Sequence, residues 1–204
     1  MQRMPFYGAY KSLSHYPDYW YWKLRRHPVR SPHLLKQRTV LEYARRFGLR
    51  TLVETGTYYG EMIAAVASHF DHIVSIEFDH ELARRAARRF ERNPKIRILE
   101  GDSAIVLPEF LKSLTTPALF WLDAGYWGWE NLQRDPQRLS AEVEAILGHS
   151  IPGHVILMDD ARMLNGQNGA LTLDEFRSRV SARFPSRAFE AKFDIVRITP
   201  RPGT

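Results

Sequence analysis

Acidic side chains recur in this sequence at the points where apolar runs end. Five predicted strands each finish in an acidic residue or pair: Glu54, Glu77, Asp102, Asp123, and Asp159 with Asp160. Because the carboxyl ends of parallel strands lie along one edge of a sheet, we expect these side chains to border one ligand site. Carboxylates accept hydrogen bonds from hydroxyl and amino groups and coordinate hard cations. The pattern therefore predicts a ligand that carries hydrogen-bond donors, positive charge or both.

A glycine-containing turn follows the first apolar run. Gly56 and Gly60 stand after Leu52 and Val53, and a helical pattern begins beyond Gly60. Such a turn presents backbone N–H groups and the positive end of a helix to a ligand. The dinucleotide fingerprint needs a third glycine, which is missing here. Glu54 would also repel a pyrophosphate, so the turn suits a cationic or neutral ligand better.

Two further acids lie where an α/β nucleotide site has binding groups. Glu77 ends the second predicted strand, 21 residues beyond Gly56, where a carboxylate commonly accepts hydrogen bonds from ribose hydroxyls. Its alternative role is that of a surface glutamate at a strand end. Asp102 and Ser103 follow the third strand. They suit contacts with an adenine ring and suit an ordinary turn with a helix N-cap equally well.

The order of the predicted elements indicates the fold. Strand patterns lie at residues 51–54, 72–77, 95–99, 118–123, 154–160, 186–192 and 194–199, with helical patterns between the first five and before the sixth. This alternation predicts an α/β protein of the Rossmann-like, doubly wound type. We expect a mostly parallel seven-stranded sheet with an antiparallel strand in a C-terminal hairpin. Residues 33–204 would form this domain, and Ser31 would be the N-cap of its first helix.

Residues 1–32 are expected to form a separate cap that is rich in aromatic and basic side chains. Eight aromatic residues stand before position 23, and residues 1–50 carry 11 Lys and Arg against 2 Asp and Glu. This composition predicts an ordered cap with a short helix near residues 18–26, packed on the domain or on the second subunit of a homodimer. Aromatic residues among arginines also suit single-stranded nucleic acid. Since no RNA-binding signature accompanies them, we expect packing and not nucleic-acid binding.

The composition sets outer bounds on the protein class. With 204 residues, 44% of them hydrophobic, the chain can bury a full core as one domain. It has no apolar run long enough for a membrane span, and its N-terminus lacks the apolar segment of a signal peptide. The absence of cysteine excludes disulfides and thiolate metal sites. We therefore expect a cytoplasmic protein.

Several short motifs share their spacing with a known family. They are Glu54-x-Gly56-x-x-x-Gly60, Glu77, Gly101-Asp102-Ser103, Trp121-Leu-Asp123 and Met158-Asp-Asp-Ala-Arg162. On these motifs, residues 34–199 resemble the class I S-adenosylmethionine (SAM)-dependent methyltransferases. The resemblance implies SAM as the cofactor, bound by Glu54, Thr55, Gly56, Thr57, Gly60, Glu77, Phe78, Asp102, Ser103 and Asp123. The chain departs from the family at Tyr58, where a further glycine is common, and at Gly125, where a histidine is expected.

The acids after the fourth and fifth strands resemble those of metal-dependent O-methyltransferases. The resemblance implies that Asp123, Asp159 and Asp160 are catalytic and hold Mg²⁺, which would lower the pKa of an acceptor hydroxyl. In the alternative, Asp123 contacts the cofactor amino group and one of the pair caps a loop. Without a metal, Asp159 or Asp160 would be the general base, with His154 nearby.

The candidate acceptor contacts are the aromatic loop after the fourth strand and one arginine: Tyr126, Trp127, Trp129 and Arg162. The aromatic residues alternatively pack on one another. Together these features predict a SAM-dependent methyltransferase that acts on an oxygen atom of a small natural-product or sugar-like acceptor. One alternative is an RNA methyltransferase that uses the basic N-terminal segment. Another is a SAM- or nucleotide-binding module without catalytic activity.

Overall fold

The computed structural model describes residues 7–25, 30–123, 136–167 and 170–201, and for residues 7–15 and 136–138 it describes the backbone alone. The helices are α1 (Tyr7–Leu24), α2 (His33–Arg46), α3 (Glu61–Val66), α4 (His80–Phe90), α5 (Ser103–Leu111), α6 (Pro136–Leu147) and α7 (Leu173–Arg183). The strands are β1 (Thr51–Thr55), β2 (His72–Glu77), β3 (Ile96–Glu100), β4 (Leu119–Leu122), β5 (Val155–Met158), β6 (Arg187–Lys192) and β7 (Ile195–Pro200).

The strands form one seven-stranded sheet in the order β3-β2-β1-β4-β5-β7-β6. Strands β1 to β5 are parallel, whereas β7 runs antiparallel to both β5 and β6. The predicted fold class is therefore confirmed. The order of the strands reverses between β1 and β4, and in such sheets ligands bind beyond the carboxyl ends at this point.

The central strands form because they are apolar on both faces and helices cover each face. All residues of β4 and β5 are buried. Alternate residues of a strand enter opposite layers. Leu52 and Trp121 belong to the apolar cluster that includes α2 and α3, while Val53 and Phe120 belong to the cluster that includes α5, α6 and α7. This two-sided core fixes the strand ends that carry the acidic residues.

The N-terminal segment differs from its prediction in two ways. The expected short helix extends back through Pro17 to Tyr7. Tertiary contacts can override the local cost of a proline, and here the Arg38 guanidinium of α2 lies 4.8 Å from the centre of the Tyr19 ring. The predicted N-cap at Ser31 is wrong, because the Ser31 hydroxyl donates to the backbone carbonyl of Phe193 and Pro32 holds the N-cap position of α2.

The turn between β6 and β7 is short and tightly curved. Phe193 and Asp194 have φ angles of 51° and 58°, as in two-residue hairpin turns whose central residues both lie in the left-handed region. Because β7 is antiparallel to β5, the turn lies at the edge of the sheet where β5 ends. No helix in the described part of the chain is long and apolar enough to cross a membrane.

Candidate active site

The turn after β1 depends on three positive φ angles. Gly56, Tyr58 and Gly60 have φ values of 89°, 49° and 70°. A Cβ atom at Gly60 would lie 2.5 Å from the Phe90 ring, so glycine also allows α3 to begin close to α4. Tyr58 adopts the left-handed conformation that favours glycine, the residue that the resemblance implies at this position.

Glu77 holds this turn from the end of β2. The backbone N–H of Tyr58 donates to Glu77 Oε2 (2.7 Å), and that of Asp79 donates to Oε1 (3.0 Å). An ionised carboxylate has about four acceptor positions, so each oxygen can accept a further hydrogen bond. The predicted ribose contact is compatible with these bonds and remains a prediction. Phe78, next to Glu77, has a half-exposed ring.

Glu54 is buried at the end of β1 in a chain of hydroxyl groups. The Ser75 hydroxyl donates to Glu54 Oε2 (2.5 Å), and the Thr57 hydroxyl lies 2.6 Å from that of Ser75. Burial raises the pKa of Glu54 to about 8, although the Ser75 hydrogen bond opposes the shift. Ser75 was not predicted from the sequence, where its only signal is a polar residue inside an apolar strand. A cation near Glu54 would favour its ionised form.

Asp102 and Ser103 begin α5 in the manner of an ordinary helix start. Asp102 is the N-cap and accepts from the backbone N–H of Ala104 (2.8 Å). The Ser103 hydroxyl donates to Glu142 Oε1 of α6 (2.6 Å), and both side chains are buried. The structure thus shows the capping role, while the adenine contact remains a prediction. Glu142 was not found from the sequence, since nothing local marks it as a partner of α5.

The ends of β4 and β5 meet a lysine that the sequence analysis did not single out. The Lys36 ammonium of α2 forms an ion pair with Asp159 Oδ2, and its side chain is 19% exposed against 1% for Asp159. Burial works to lower the pKa of Lys36, but the charges of Asp159, Asp123 and Asp160 outweigh it and raise that pKa. Burial disfavours the charged form of a carboxyl group as well, so it raises the pKa values of Asp123 and Asp159. The positive charge of Lys36 opposes both shifts. Lys36 therefore belongs to the site.

Asp160 and Arg162 connect β5 to the hairpin turn. Arg162 lies 2.7 Å from Asp160 Oδ1 and also forms an ion pair with Asp194, the second residue of that turn. The backbone N–H of Arg162 donates to Asp194 Oδ1 (2.8 Å). Arg162, a predicted acceptor contact, thus lies at the edge of the site, with its guanidinium group paired with two carboxylates.

The predicted magnesium site is not supported by this arrangement. Asp159 Oδ2 is paired with an ammonium group and Asp160 Oδ1 with a guanidinium group, so the two side chains already have cationic partners. Among the residues that the structure describes, no group of three or more His, Asp or Glu side chains is placed to hold a metal ion. Two buried oxygen atoms, Asp159 Oδ1 and Thr55 Oγ1, nevertheless have no hydrogen-bond partner within the described ranges of the chain. The donor set suits a proton or a hydroxyl group better than a divalent ion.

His154, suggested as a nearby base, is at the wrong end of the sheet. It immediately precedes β5, whereas the acidic residues follow the strands. The backbone N–H of Ala118 donates to His154 Nδ1 (3.1 Å), so His154 Nε2 carries the proton and donates to His149 Nδ1 (2.9 Å). Burial lowers the pKa of His154 to about 4. The histidine is therefore a neutral structural residue.

The N-terminal helix lies against the hairpin turn. Trp22 is buried, and its ring contacts that of Phe193 edge-on at a centroid distance of 5.2 Å. Together with the Ser31 bond to the Phe193 carbonyl, this contact holds the N-terminal segment beside the site. The remaining predicted acceptor contacts, Tyr126, Trp127 and Trp129, and the departure at Gly125 lie outside the described residues.

The strand order, the antiparallel seventh strand and the glycine turn at the switch point together define the fold of the class I SAM-dependent methyltransferases. Solved structures with this fold include the O-methyltransferase from Bacillus cereus in complex with S-adenosylhomocysteine (SAH) (TM-score 0.61, 16% identity, 85% of this chain and 84% of that one). They also include the O-methyltransferase TomG from Streptomyces achromogenes, involved in tomaymycin synthesis, in complex with SAM (TM-score 0.64, 17% identity, 89% and 86%). The 23S rRNA methyltransferase ErmE is similar as well (TM-score 0.51, 21% identity, 81% and 68%).

The sequence comparisons are more limited. No family model matches the chain. The ribosomal RNA small subunit methyltransferase A of Acidobacterium capsulatum is 34% identical over 80 residues, which are 39% of this chain. The match spans only 27% of the length of that relative. The comparisons thus establish the fold, and they include proteins that act on different acceptors.

Proposed function

We propose that this protein is a SAM-dependent methyltransferase that acts on an oxygen atom of a small-molecule acceptor. One observation carries the proposal. At the point where the strand order reverses, the glycine turn, which Glu77 holds, lies next to the acidic residues at the ends of the parallel strands. We call Glu54, Glu77, Asp102, Asp123, Asp159 and Asp160 the carboxyl rim. A ligand with an amino group, a sulfonium centre and ribose hydroxyls matches this set of acceptors.

Each part of the cofactor has a candidate partner on this chain. Glu54 and Asp123, both with raised pKa values, suit the cationic amino group, whose approach would favour their ionised forms. The turn that follows β1 suits the cofactor carboxylate, with the Thr57 N–H as the candidate donor, because the Gly56 N–H already donates to the Ile76 carbonyl (2.9 Å). Glu77 suits the ribose hydroxyls. Phe78, Asp102 and Ser103 would border the adenine ring.

The chain offers one carboxylate as general base for the acceptor hydroxyl. When bound, SAM supplies the methyl group: a carbon–sulfur bond breaks, a carbon–oxygen bond forms and SAH leaves. Among the described residues Asp159 Oδ1 has no hydrogen-bond partner, so it has the capacity to take the proton of an acceptor that reaches it and later to release that proton to water. Asp160 is paired with Arg162 and is the weaker candidate. Beyond this proton transfer, the side chains would mainly align the reactants and exclude water.

The test of this proposal is calorimetric titration of the whole chain with SAH. We expect binding by the wild type, and Glu77→Ala should weaken it by about 2 kcal/mol, or ~30-fold, because hydrogen bonds to a charged group are lost. The matched control is Glu100→Ala, which removes an exposed carboxylate at the end of the neighbouring strand β3 and should leave the affinity unchanged. A wild type that does not bind SAH would refute the proposal.

Turnover is tested separately, with SAM and a panel of phenolic and sugar hydroxyl acceptors, by measuring the SAH that forms. Formation of SAH that depends on the acceptor supports the proposal. Binding of SAH without turnover on any acceptor would favour the module without catalytic activity.

An RNA methyltransferase is the second candidate function, and two observations favour it. The matched 80-residue segment belongs to a protein named as a ribosomal RNA methyltransferase. Helix α1, in the basic N-terminal segment, also exposes Trp20 and Tyr21, and Lys23 and the following Arg25 lie over their rings at 5.2 Å and 5.0 Å. Exposed aromatic rings with cations beside them can stack on unpaired bases.

A further inference from the structure

Lys36 carries a largely buried ammonium group, and it has no role in the methyl transfer proposed above. It lies in the first part of α2 and forms an ion pair with Asp159 Oδ2. Asp123 and Asp160 are close enough for their charges to act on it. The Lys36 ammonium thus lies beside the three carboxylates that were predicted to bind a magnesium ion.

Other cations of α2 do not take this position. Arg38 lies over the Tyr19 ring, and Arg46 over the rings of Tyr43 and Phe47. A lysine loses hydration when it is buried, so it is stable there only with well-placed carboxylates. The charge of Lys36 is therefore matched specifically to the acids that follow β4 and β5.

The bonding of Lys36 leaves donor and acceptor capacity for a ligand. An ammonium group has three N–H donors, and among the described residues the hydrogen bond of Lys36 goes to Asp159 Oδ2. The other oxygen of the same carboxylate, Oδ1, is buried and has no partner. A hydroxyl group placed between them would accept from the ammonium and donate to the carboxylate.

We propose that the Lys36 ammonium is the built-in cation of the carboxyl rim, that it takes the place of a divalent metal, and that it binds the acceptor oxygen. The part that concerns the acceptor rests on the proposed function, whereas the part that concerns the metal does not. Like a metal ion, the ammonium would stabilise negative charge as it develops on the acceptor oxygen. Unlike a metal ion, it belongs to the chain and survives chelation.

Binding of Mn²⁺ to the full chain, measured by the loss of the free-ion electron paramagnetic resonance signal, tests the metal part without any cofactor. The wild type should show no specific site up to about 1 mM Mn²⁺, the range of weak protein sites. Lys36→Met removes the charge at similar length and should create a site that is at least about tenfold tighter, since Asp159 and Asp123 would then lack their nearby cation while Asp160 keeps Arg162. Lys36→Arg should behave like the wild type.

Two controls make the result specific. Lys112→Met makes the same substitution in an exposed lysine, whose partner is Glu109 on the same helix, and should leave Mn²⁺ binding unchanged. Adding Asp159→Asn to Lys36→Met should abolish the new site. A wild-type Mn²⁺ site that Asp159→Asn removes would overturn the proposal even if Lys36→Met did not fold. A folded Lys36→Met chain without a new site would also overturn it.

The acceptor part is tested once an acceptor is known. Lys36→Met should lower kcat/KM by a factor on the order of 100 and change the SAH affinity by a much smaller factor, because Lys36 meets the acceptor oxygen directly and the cofactor only through the charge of Asp123. Turnover of the wild type should not respond to a chelator. Full activity of Lys36→Met, or loss of wild-type turnover on chelation, would refute this role. Because the Mn²⁺ titration involves no SAM, its outcome stands even if SAH fails to bind.

Discussion

Glu54 illustrates at the level of one residue how a ligand site is built at the expense of stability. Its carboxyl group is buried, its hydrogen bond comes from a neutral hydroxyl, and its pKa lies near 8 in the folded chain. The pKa of a glutamate in an unfolded chain is about 4.3. Because the pKa of Glu54 is higher in the folded chain than in the unfolded chain, its contribution to stability is fully present only below the pKa of the unfolded chain. This contribution is lost as the pH rises through the folded pKa of about 8.

Glu54→Gln should therefore stabilise the ligand-free protein at alkaline pH. The variant keeps a hydrogen-bond acceptor but cannot ionise, so its free energy of unfolding should exceed that of the wild type by a few kcal/mol at pH above the folded pKa, with little difference near pH 5. Urea unfolding curves over this pH range measure the effect. Glu100→Gln, at an exposed strand end, is the control.

Parallel pH profiles for the wild type and Glu54→Gln would contradict this account of Glu54. The same variant should bind SAH more weakly, since an amide cannot neutralise a cationic amino group. Opposite effects on stability and affinity would distinguish a binding residue from a residue that only supports the fold.

The types and positions of the rim residues were predictable from the sequence, because each follows an apolar strand pattern. Their partners were not. Lys36 and Asp159 are 123 positions apart, and Ser103 and Glu142 are 39 apart. Local periodicity places a residue on an element, but it does not determine which distant side chain will meet it. The magnesium prediction, which the described residues do not support, was made for this reason: the three acids could be recognised in the sequence, and the lysine beside them could not.

At the level of elements, the turn between β6 and β7 joins three parts of the protein. Its Phe193 contacts Trp22 of α1 and accepts from Ser31, while its Asp194 pairs with Arg162 beyond β5. The hairpin was predicted from its two strand patterns. Its place beside the site follows only from the antiparallel pairing of β7 with β5, which the strand patterns do not specify.

Phe193→Ala should loosen α1 without unfolding the sheet. The substitution removes the ring on which Trp22 packs, a loss of about 2 kcal/mol for a partly buried aromatic contact. Hydrogen exchange of the amides in residues 16–25 should become about tenfold faster or more, while β1 to β5 keep their protection. The control is Leu24→Ala, because Leu24 is 81% exposed and its loss should change little. Unchanged exchange in residues 16–25 would show that other contacts hold the helix.

Across the whole molecule, positive and negative charge are separated along the chain. Residues 1–50 carry 11 Lys and Arg against 2 Asp and Glu, and residues 51–204 carry 18 against 21. The basic segment meets the acidic rim through Lys36, so one contact of the basic segment lies within the chain itself. Lys36, and Arg50 with its partner Asp71 (2.9 Å), are thus two of the 11 basic residues of the segment whose charge is matched within the chain. The exposed face of α1 is not explained in this way, since Trp20 and Tyr21 are 55% and 58% exposed.

The salt dependence of binding decides between the two candidate acceptor classes. Binding of RNA releases counterions, so its affinity falls steeply with salt, roughly in proportion to the number of phosphates that are contacted. For a small-molecule enzyme we expect only weak association with a labelled single-stranded RNA, and an SAH affinity that does not change between low and high KCl. The measurements are fluorescence anisotropy for the RNA and calorimetry for SAH.

The double variant Trp20→Ala/Tyr21→Ala separates the remaining outcomes. If the acceptor is a small molecule, the variant should turn it over at the wild-type rate, because neither residue has a place in the carboxyl rim. If the acceptor is RNA, the wild type should bind it tightly at low salt and lose it steeply as salt rises. The double variant should then bind about tenfold more weakly or worse, since base stacking contributes about 1–3 kcal/mol per aromatic contact. That second result would reassign the exposed face of α1 as an RNA platform and replace the small-molecule acceptor.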